Sequence, residues 1–545
     1  MKKKTKTLLN KNDHVTLKIE DIGIGGEGIG FLYFPEETAA GQIFSEGKIP
    51  AGNVSKAENR ADADCEDMIS KKTDSSGEAS VKKRASRFAV FVKDAVPGDV
   101  IEAVITKAAP RYAYGHLDRI LTPSPDRVTP PCPIAKTCGG CQLQVFAYEK
   151  QLESKQKKVR ENLIRIGGFA PETVDLVMHK IVGMEEPWHY RNKEQVPVQE
   201  GKYGPVTGFY ASRSHRVIPM TDCLIGSPQN RPILETILSW MQKHGIPAYD
   251  ETTGKGLIRH ILIRDGVYSG QIMVCVIAND YRLPFEKELV EELRGLRFSE
   301  QKTITSIILN TNTERTNVIT GRALRTLWGS DDIEDTLYIH EVSHNPLSVE
   351  FKKTEESVTF RISPLSFYQV NPRQTEKLYS LALDCAGLTG SETVWDLYCG
   401  VGTISLFMAR HAGHVYGVEI IPEAIENARQ NAARNGIENA DFYVGKAEEI
   451  LPAYVENLKA QGKNPQIDVI CVDPPRKGCD DICIQTMLEI APKRIVYVSC
   501  DPATLARDLK KLAEGGYELD YVQPVDQFAH TVHVETVVLM SKVKE

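Results

Sequence analysis

The chain has 545 residues and no run of 18 or more apolar ones, so no membrane-spanning helix is expected. Its first residues, Met1-Lys2-Lys3-Lys4-Thr5-Lys6, are basic. No apolar core follows them, which argues against a secretory leader. A surplus of positive charge is also missing: 66 Lys and Arg face 73 Asp and Glu, a formal net charge of −7. Contact with a polyanion would therefore need a local basic face rather than a basic total. The densest basic stretch is Lys150, Lys155, Lys157, Lys158, Arg160 and Arg165, which reads as the solvated face of a helix. Twelve cysteines in a long chain expected to be cytosolic point to metal-binding, catalytic or core thiols rather than disulfides. A cytoplasmic protein of two to four domains, at ~100–200 residues each, is expected.

Residues 13–35 read as short strands with glycine corners, among them Gly26-Glu27-Gly28-Ile29-Gly30. Glycine at such density suits a small barrel. Strand patterning resumes at Phe88–Val92 and Val100–Ile105. Between them, residues 36–87 are rich in Ser, Lys, Asp, Glu and Gly and read as a mobile insertion. The two halves, with Phe91 to Val100 and Lys107 to His116, resemble a TRAM domain, a five-stranded OB-type barrel that binds RNA. Tyr112 and Tyr114 are its candidate stacking platforms.

Cys132, Cys138 and Cys141 follow, at gaps of five and two residues with two glycines between the last pair. Thiolates so spaced suit zinc or an iron–sulfur cluster equally. Cys223 is the best fourth ligand, because Cys275 and Cys471 lie in apolar, strand-like runs. From Trp188 to Ser363 strands and helices alternate as in a mixed α+β domain. Leu257–Arg264 and Gly270–Ile277 read as a hairpin, and Ile233–His244 and Pro284–Leu296 as helices. Trp188, His189, Tyr190, Arg191, Asn192 and Lys193 combine aromatic and basic types, as RNA contact requires and as an ordinary surface strand also allows.

The C-terminal third alternates strand and helix. Thr393 to Ala409 is strand, glycine turn, helix, with Gly400 and Gly402 in the turn. A second strand ends at Glu419, placed to hold the ribose hydroxyls of an adenosine. Position 405 is Ser where a dinucleotide cradle would want a third glycine, which favours S-adenosylmethionine over NAD. Later strands end at Asp473-Pro-Pro-Arg476 and at Cys500, and Tyr517–Val525 and Thr531–Lys542 form a final antiparallel pair. A doubly wound sheet is expected, its ligand crevice at the strand ends.

With these motifs the chain resembles the RNA uracil-5-methyltransferase family, and especially its 23S rRNA branch. The resemblance implies a TRAM barrel (1–121), a central α+β domain with an iron–sulfur site (122–365) and a Rossmann-like S-adenosylmethionine-dependent methyltransferase domain (366–545). It implies a 4Fe–4S cluster on Cys132, Cys138, Cys141 and Cys223. It places cofactor contacts at Gln369, Tyr398, Glu419 and Asp473, a nucleophile at Cys500 and a base at Glu535. RNA is the implied partner, with tRNA as the alternative to 23S rRNA; no protein partner is implied. The tRNA branch typically lacks both barrel and cluster. The 36–87 insertion departs from the family pattern, and Lys446 stands where relatives often carry an acidic or amide residue, so it is given no cofactor role.

Uracil carbon 5 attacks a methylsulfonium poorly unless a thiolate first adds to carbon 6. The following helix N-terminus and Arg476 are expected to lower the Cys500 pKa. His530 and His533 rival Glu535 as base, and strand alternation would put His533 and Glu535 on one face. An amino-methyltransferase would need no Cys500, and a non-catalytic RNA-binding protein no cofactor.

Overall fold

The computed structural model describes residues 8–34, 86–212, 214–299, 301–345, 348–462 and 465–543. The expected insertion lies outside these residues except for its last two, which belong to a strand. The chain divides into two units: residues 1–130 with 142–147, and 131–141 with 148–545.

In the first unit β1 (His14–Ile22), β2 (Gly28–Phe34), β3 (Ser86–Val92), β4 (Val100–Ala108) and β5 (Tyr112–Thr122) close into a barrel of order β1-β2-β3-β5-β4. Alternation drives it: Val15, Leu17 and Ile19 of β1 turn inward with Val90, Ile101, Ala103 and Ile105. Gly28 is required at a corner, because a Cβ there would meet the Ala95 carbonyl oxygen at 2.6 Å. Tyr112 and Tyr114 are exposed and pack against Phe91, with ring centres 5.5–6.0 Å apart.

The second unit begins, after the cysteine loop, with α1 (Tyr148–Arg165) and α2 (Pro171–Val177). Next come β6 (Lys193–Gly201), β7 (Gly204–Tyr210), β8 (Val217–Pro219), α3 (Asn230–His244), β9 (Ile258–Asp265), β10 (Gln271–Ala278), α4 (Glu286–Gly295), β11 (Thr303–Thr311) and β12 (Ala323–Gly329). Their seven strands form one sheet of order β12-β11-β10-β9-β6-β7-β8, with the expected hairpin as β9–β10. A two-stranded ribbon, β13 (Ile333–His344) and β14 (Val349–Ile362), follows.

The remainder is α5 (Pro372–Ala386), β15 (Thr393–Leu397), α6 (Thr403–Ala409), β16 (His414–Glu419), α7 (Pro422–Arg434), β17 (Ala440–Val444), α8 (Ala447–Ala460), β18 (Val469–Val472), α9 (Asp481–Ile490), β19 (Arg494–Ser499), α10 (Pro502–Glu514), β20 (Tyr517–Val525) and β21 (Glu535–Lys542). The sheet order is β17-β16-β15-β18-β19-β21-β20, parallel except at β21. Strand order reverses between β15 and β18, which opens a crevice at their carboxyl ends. Buried Val394, Val415, Val469 and Val496 contribute to the core on one face, and Trp395, Ile470, Ile495 and Tyr497 on the other. Helices α5, α7 and α10 each open on a proline at the first helical position, where the missing N–H is not needed. Among the described residues no helix is long and apolar enough to cross a membrane.

Candidate active site

Cys500 follows β19 directly, and Asp501 caps α10, its carboxylate accepting from the Ala503 and Thr504 amides at 2.9 and 3.1 Å. The antiparallel register sets Ser499 opposite Thr536. It therefore brings Cys500 level with Glu535, and residues so opposed share a face. Glu535 is buried while Cys500 is half-open.

The electrostatics differ from the sequence expectation for the thiol. Burial pushes Cys500 up to about 11, Glu535 and Asp473 push the same way, and Arg476 only partly opposes them. The helix N-terminus gives less help than expected because its cap is itself an anion. Burial also lifts Glu535 to about 8 and Asp473 to about 7. Asp396 is lifted to about 6 by burial, against the hydrogen bond it accepts from Ser405 at 2.5 Å. The crevice thus concentrates carboxyl groups that resist ionising together, an arrangement suited to a cationic ligand.

Gln369 hydrogen-bonds the Tyr379 phenol, which accepts from Thr403 at 3.3 Å and feels both Asp473 and Glu535. Gln369 and Asp473 therefore converge on the Cys500–Glu535 pair. Glu419 ends β16, accepts from the Ile421 amide at 3.1 Å and acts electrostatically on Asp396 and Cys399. Tyr398 is placed otherwise. Its φ of 75° is left-handed, a strained turn of the kind found at ligand sites, and its hydroxyl is engaged with Cys483 in α9. Gly402, with φ of 82°, caps α6, and a side chain there would press on Phe442 and Ala428 at 3.2 Å. The residues fit S-adenosylmethionine on one further observation: Asp396 Oδ1 is buried beside this turn with no hydrogen-bond partner among the described residues. A buried acceptor left open in this way calls for a donor.

The two rival histidines are placed differently from what strand alternation suggests. His530 is buried, pushed down to about 4, stacked on Trp188 with ring centres 3.8 Å apart, and held by Gln151 through its amide at 3.0 Å. His533 precedes β21 rather than sharing its alternation with Glu535, and its ring packs edge-on to Phe528. The cause is the loop 526–534, which α1 draws away from strand geometry. Lys155 binds Asp526 at 2.6 Å and the Phe528 carbonyl at 3.0 Å, Tyr148 donates to Asp526 at 2.8 Å, and Lys158 reaches the Val532 carbonyl at 3.2 Å. From α5 and the residue that caps it, Asn371 donates to the Gln527 carbonyl at 3.1 Å and Gln374 to the Asp526 carbonyl at 3.0 Å. The expected solvated basic face is thus partly internal, with Lys155 only 2% exposed. Sequence reasoning missed this network; its one signal is the polar run Asp526-Gln527 between two apolar strands.

The 4Fe–4S centre expected on Cys132, Cys138, Cys141 and Cys223 is not shown by these side chains. Cys141 and Cys223 pack on one cluster with Tyr190 and Ile225, and Cys141 helps burial raise the Cys223 pKa. Yet among the described residues no three His, Cys, Asp or Glu side chains converge to hold a metal ion. The loop is instead tied down by its backbone, through Cys138 to Ala211 and Gly139 to Tyr210. The residues as placed do not fit a 4Fe–4S group, and no step below runs through one.

Residues 339–543 match the family described as tRNA (Uracil-5-)-methyltransferase. A protein of Bacillus cereus described as an uncharacterized RNA methyltransferase is 46% identical over 473 residues, 87% of this chain and 95% of its own. A similarly described protein of Clostridium acetobutylicum is 48% identical over 460 residues, 84% of this chain and 94% of its own. The crystal structure of Pyrococcus abyssi tRNA (uracil-54, C5)-methyltransferase in complex with S-adenosyl-L-homocysteine matches with a TM-score of 0.63 and 25% identity, over 84% of this chain and 97% of that one. The chain belongs to the S-adenosylmethionine-dependent RNA (uracil-5-)-methyltransferase family.

Proposed function

We propose that this enzyme methylates carbon 5 of a uridine in 23S rRNA through a covalent bond between Cys500 and the base. The observation that carries this reading is the level placement of Cys500 and Glu535 across the β19–β21 ladder, with Asp473 beside them. S-adenosylmethionine supplies the methyl group as a sulfonium. Gln369, Tyr398, Glu419 and Asp473 hold it, Tyr398 through the turn it shapes, and the carboxyl-rich walls favour its positive charge.

The Cys500 thiolate adds to carbon 6, and the electrons of the 5,6 double bond move toward the oxygen on carbon 4. Carbon 5 takes the methyl group as the methyl–sulfur bond breaks and leaves its electron pair on sulfur. The Glu535 carboxylate accepts the carbon 5 proton, the double bond re-forms and the thiolate departs. Asp473 hydrogen-bonds the uracil edge. A base inside a helix cannot reach this crevice, so the uridine is flipped out or lies in a single-stranded loop. The barrel, read as a TRAM domain, offers Phe91, Tyr112 and Tyr114 as a stacking surface for RNA. With RNA as substrate the enzyme works in the cytoplasm.

Likeness to an enzyme named for uracil 54 of tRNA supports tRNA as the second reading. The deciding experiment is methyl transfer from labelled S-adenosylmethionine to unmodified 23S rRNA and unmodified tRNA transcripts, followed by nucleoside analysis. 5-Methyluridine in the rRNA is expected. The same product only in tRNA would keep the chemistry and replace the substrate; another methylated nucleoside would remove Cys500 from its role.

A further inference from the structure

A cavity of about 400 Å³ lies between the strand-edge residues 188–191 and the start of α5. This is the size of an ordinary small-ligand site, ~300–1,000 Å³. One wall carries Trp188, Tyr190 and Arg191, the other Tyr268, Lys353 and Arg373. His530 covers a face of the Trp188 indole and is not part of the cavity lining. Lys353 is held over the Tyr338 and Tyr268 rings at 3.4 and 4.4 Å. Arg191 hydrogen-bonds the Tyr190 phenol and acts electrostatically on Glu194, while the Arg373 side chain is exposed. Aromatic faces next to guanidinium groups are the means by which single-stranded nucleic acid is held.

A second observation points to a ligand. Asp265 lines the cavity and is 5% exposed. Its Oδ2 accepts from Ser227 and Lys302, both at 2.6 Å, while its Oδ1 is buried with no partner among the described residues. An acceptor left open in a polar cavity suits a ring N–H or an exocyclic amino group of a base.

The cavity is also built from the supports of the active site. Trp188 stacks on the loop that leads into Glu535, and Asn371 and Gln374 line the cavity while holding that same loop. Gln369, two residues before Asn371, belongs to the Cys500 crevice through Tyr379. The cavity and the Cys500 crevice therefore share their supporting residues.

We infer that this cavity is a second nucleotide subsite, taking the base of a single-stranded RNA residue that neighbours the target uridine. Trp188 and Tyr268 bracket the base, Asp265 Oδ1 accepts from its edge, and Arg191 and Arg373 meet the flanking phosphates. The inference rests on RNA being the substrate.

Two measurements test it on the full chain. In the first, single-stranded hexauridylate carrying 4-thiouridine at each position in turn is photo-crosslinked and the adducts are mapped by mass spectrometry. Adducts at Trp188 or Tyr268 are expected from one position. In the second, the exposed Arg373 is reversed (Arg373→Glu), and methyl transfer to the better of the two transcripts is followed; KM should rise at least five-fold with a smaller change in kcat. Adducts confined to the barrel tyrosines, with an unchanged KM, would overturn the subsite while leaving the methylation reading intact. Cavity adducts from a wild-type chain that methylates no RNA would keep the subsite and overturn the proposed reaction.

Discussion

Lys155 and Asp526 form an ion pair 2.6 Å long in which the two side chains are 2% and 0% exposed. Removing one member strands a buried charge, which costs ~3–5 kcal/mol, whereas an apolar pair of similar size is often tolerated. Lys155→Met should therefore lower the denaturation midpoint sharply, and Lys155→Met with Asp526→Leu should recover much of it. Because Asp526 anchors the loop before Glu535, the double variant should remain slow in methyl transfer. Full recovery of rate along with stability would show that the pair only holds the fold.

Cys500→Ala should abolish transfer, a loss of three orders of magnitude or more, since the proposed carbon 6 bond is made by this thiolate. Glu535→Gln should still add to the base and accept the methyl group, but release slowly. A protein–RNA adduct that survives a denaturing gel is the expected sign. Its absence, with normal turnover, would assign the proton to another acceptor.

The pH dependence has a definite sign. Cys500 is lifted to about 11 and Glu535 to about 8, and the proposed reaction uses both in their deprotonated forms. Methyl transfer should therefore climb with pH between 7 and 9. Stability should move the other way. Glu535 keeps its proton in the native state well above its ordinary value of 4.5. The native state thus binds more protons than the unfolded chain across roughly pH 5 to 8, and stability falls as pH rises through that window. Melting temperatures of Glu535→Gln between pH 5 and 8 should decline less steeply than those of the wild type.

Gly402→Ala places a side chain at φ of 82° and 3.2 Å from Phe442. The left-handed backbone alone costs ~1–2 kcal/mol. Calorimetric binding of S-adenosylhomocysteine should weaken by about ten-fold or more, a fold-change that corresponds to 1.4 kcal/mol. An unchanged affinity would remove this turn from the cofactor site.

Much of the catalytic half was legible because its signals are local. Proline after a strand end, glycine at the turn and apolar five-residue runs depend on near neighbours, so β15, β16, β18 and β19 fell where expected. The start of β21 did not. Val532-His533-Val534 alternates like a strand, yet Lys155, 371 residues earlier, pulls the preceding Asp526 into a loop. No periodicity carries such a contact. The same limit applies to the Cys500 thiol: its place at a strand end could be read, but its ionisation depends on Glu535 and Asp473 arriving from two other strands. The cysteine spacing was equally visible, but spacing along the chain does not say how the side chains are directed once the loop is tied by its backbone to Tyr210 and Ala211.

The pairing of Ser499 with Thr536 has a consequence for how such a chain tolerates change. Neighbouring residues of a strand face opposite sides, so a slip of one position would set Val534 or Thr536 against Cys500 and turn Glu535 away. Insertions and deletions between β20 and β21 are therefore permissible only where the loop absorbs them. The opposition of the Cys500 thiol and the Glu535 carboxyl is written into the alignment of two strands, whatever the length of the loop between them.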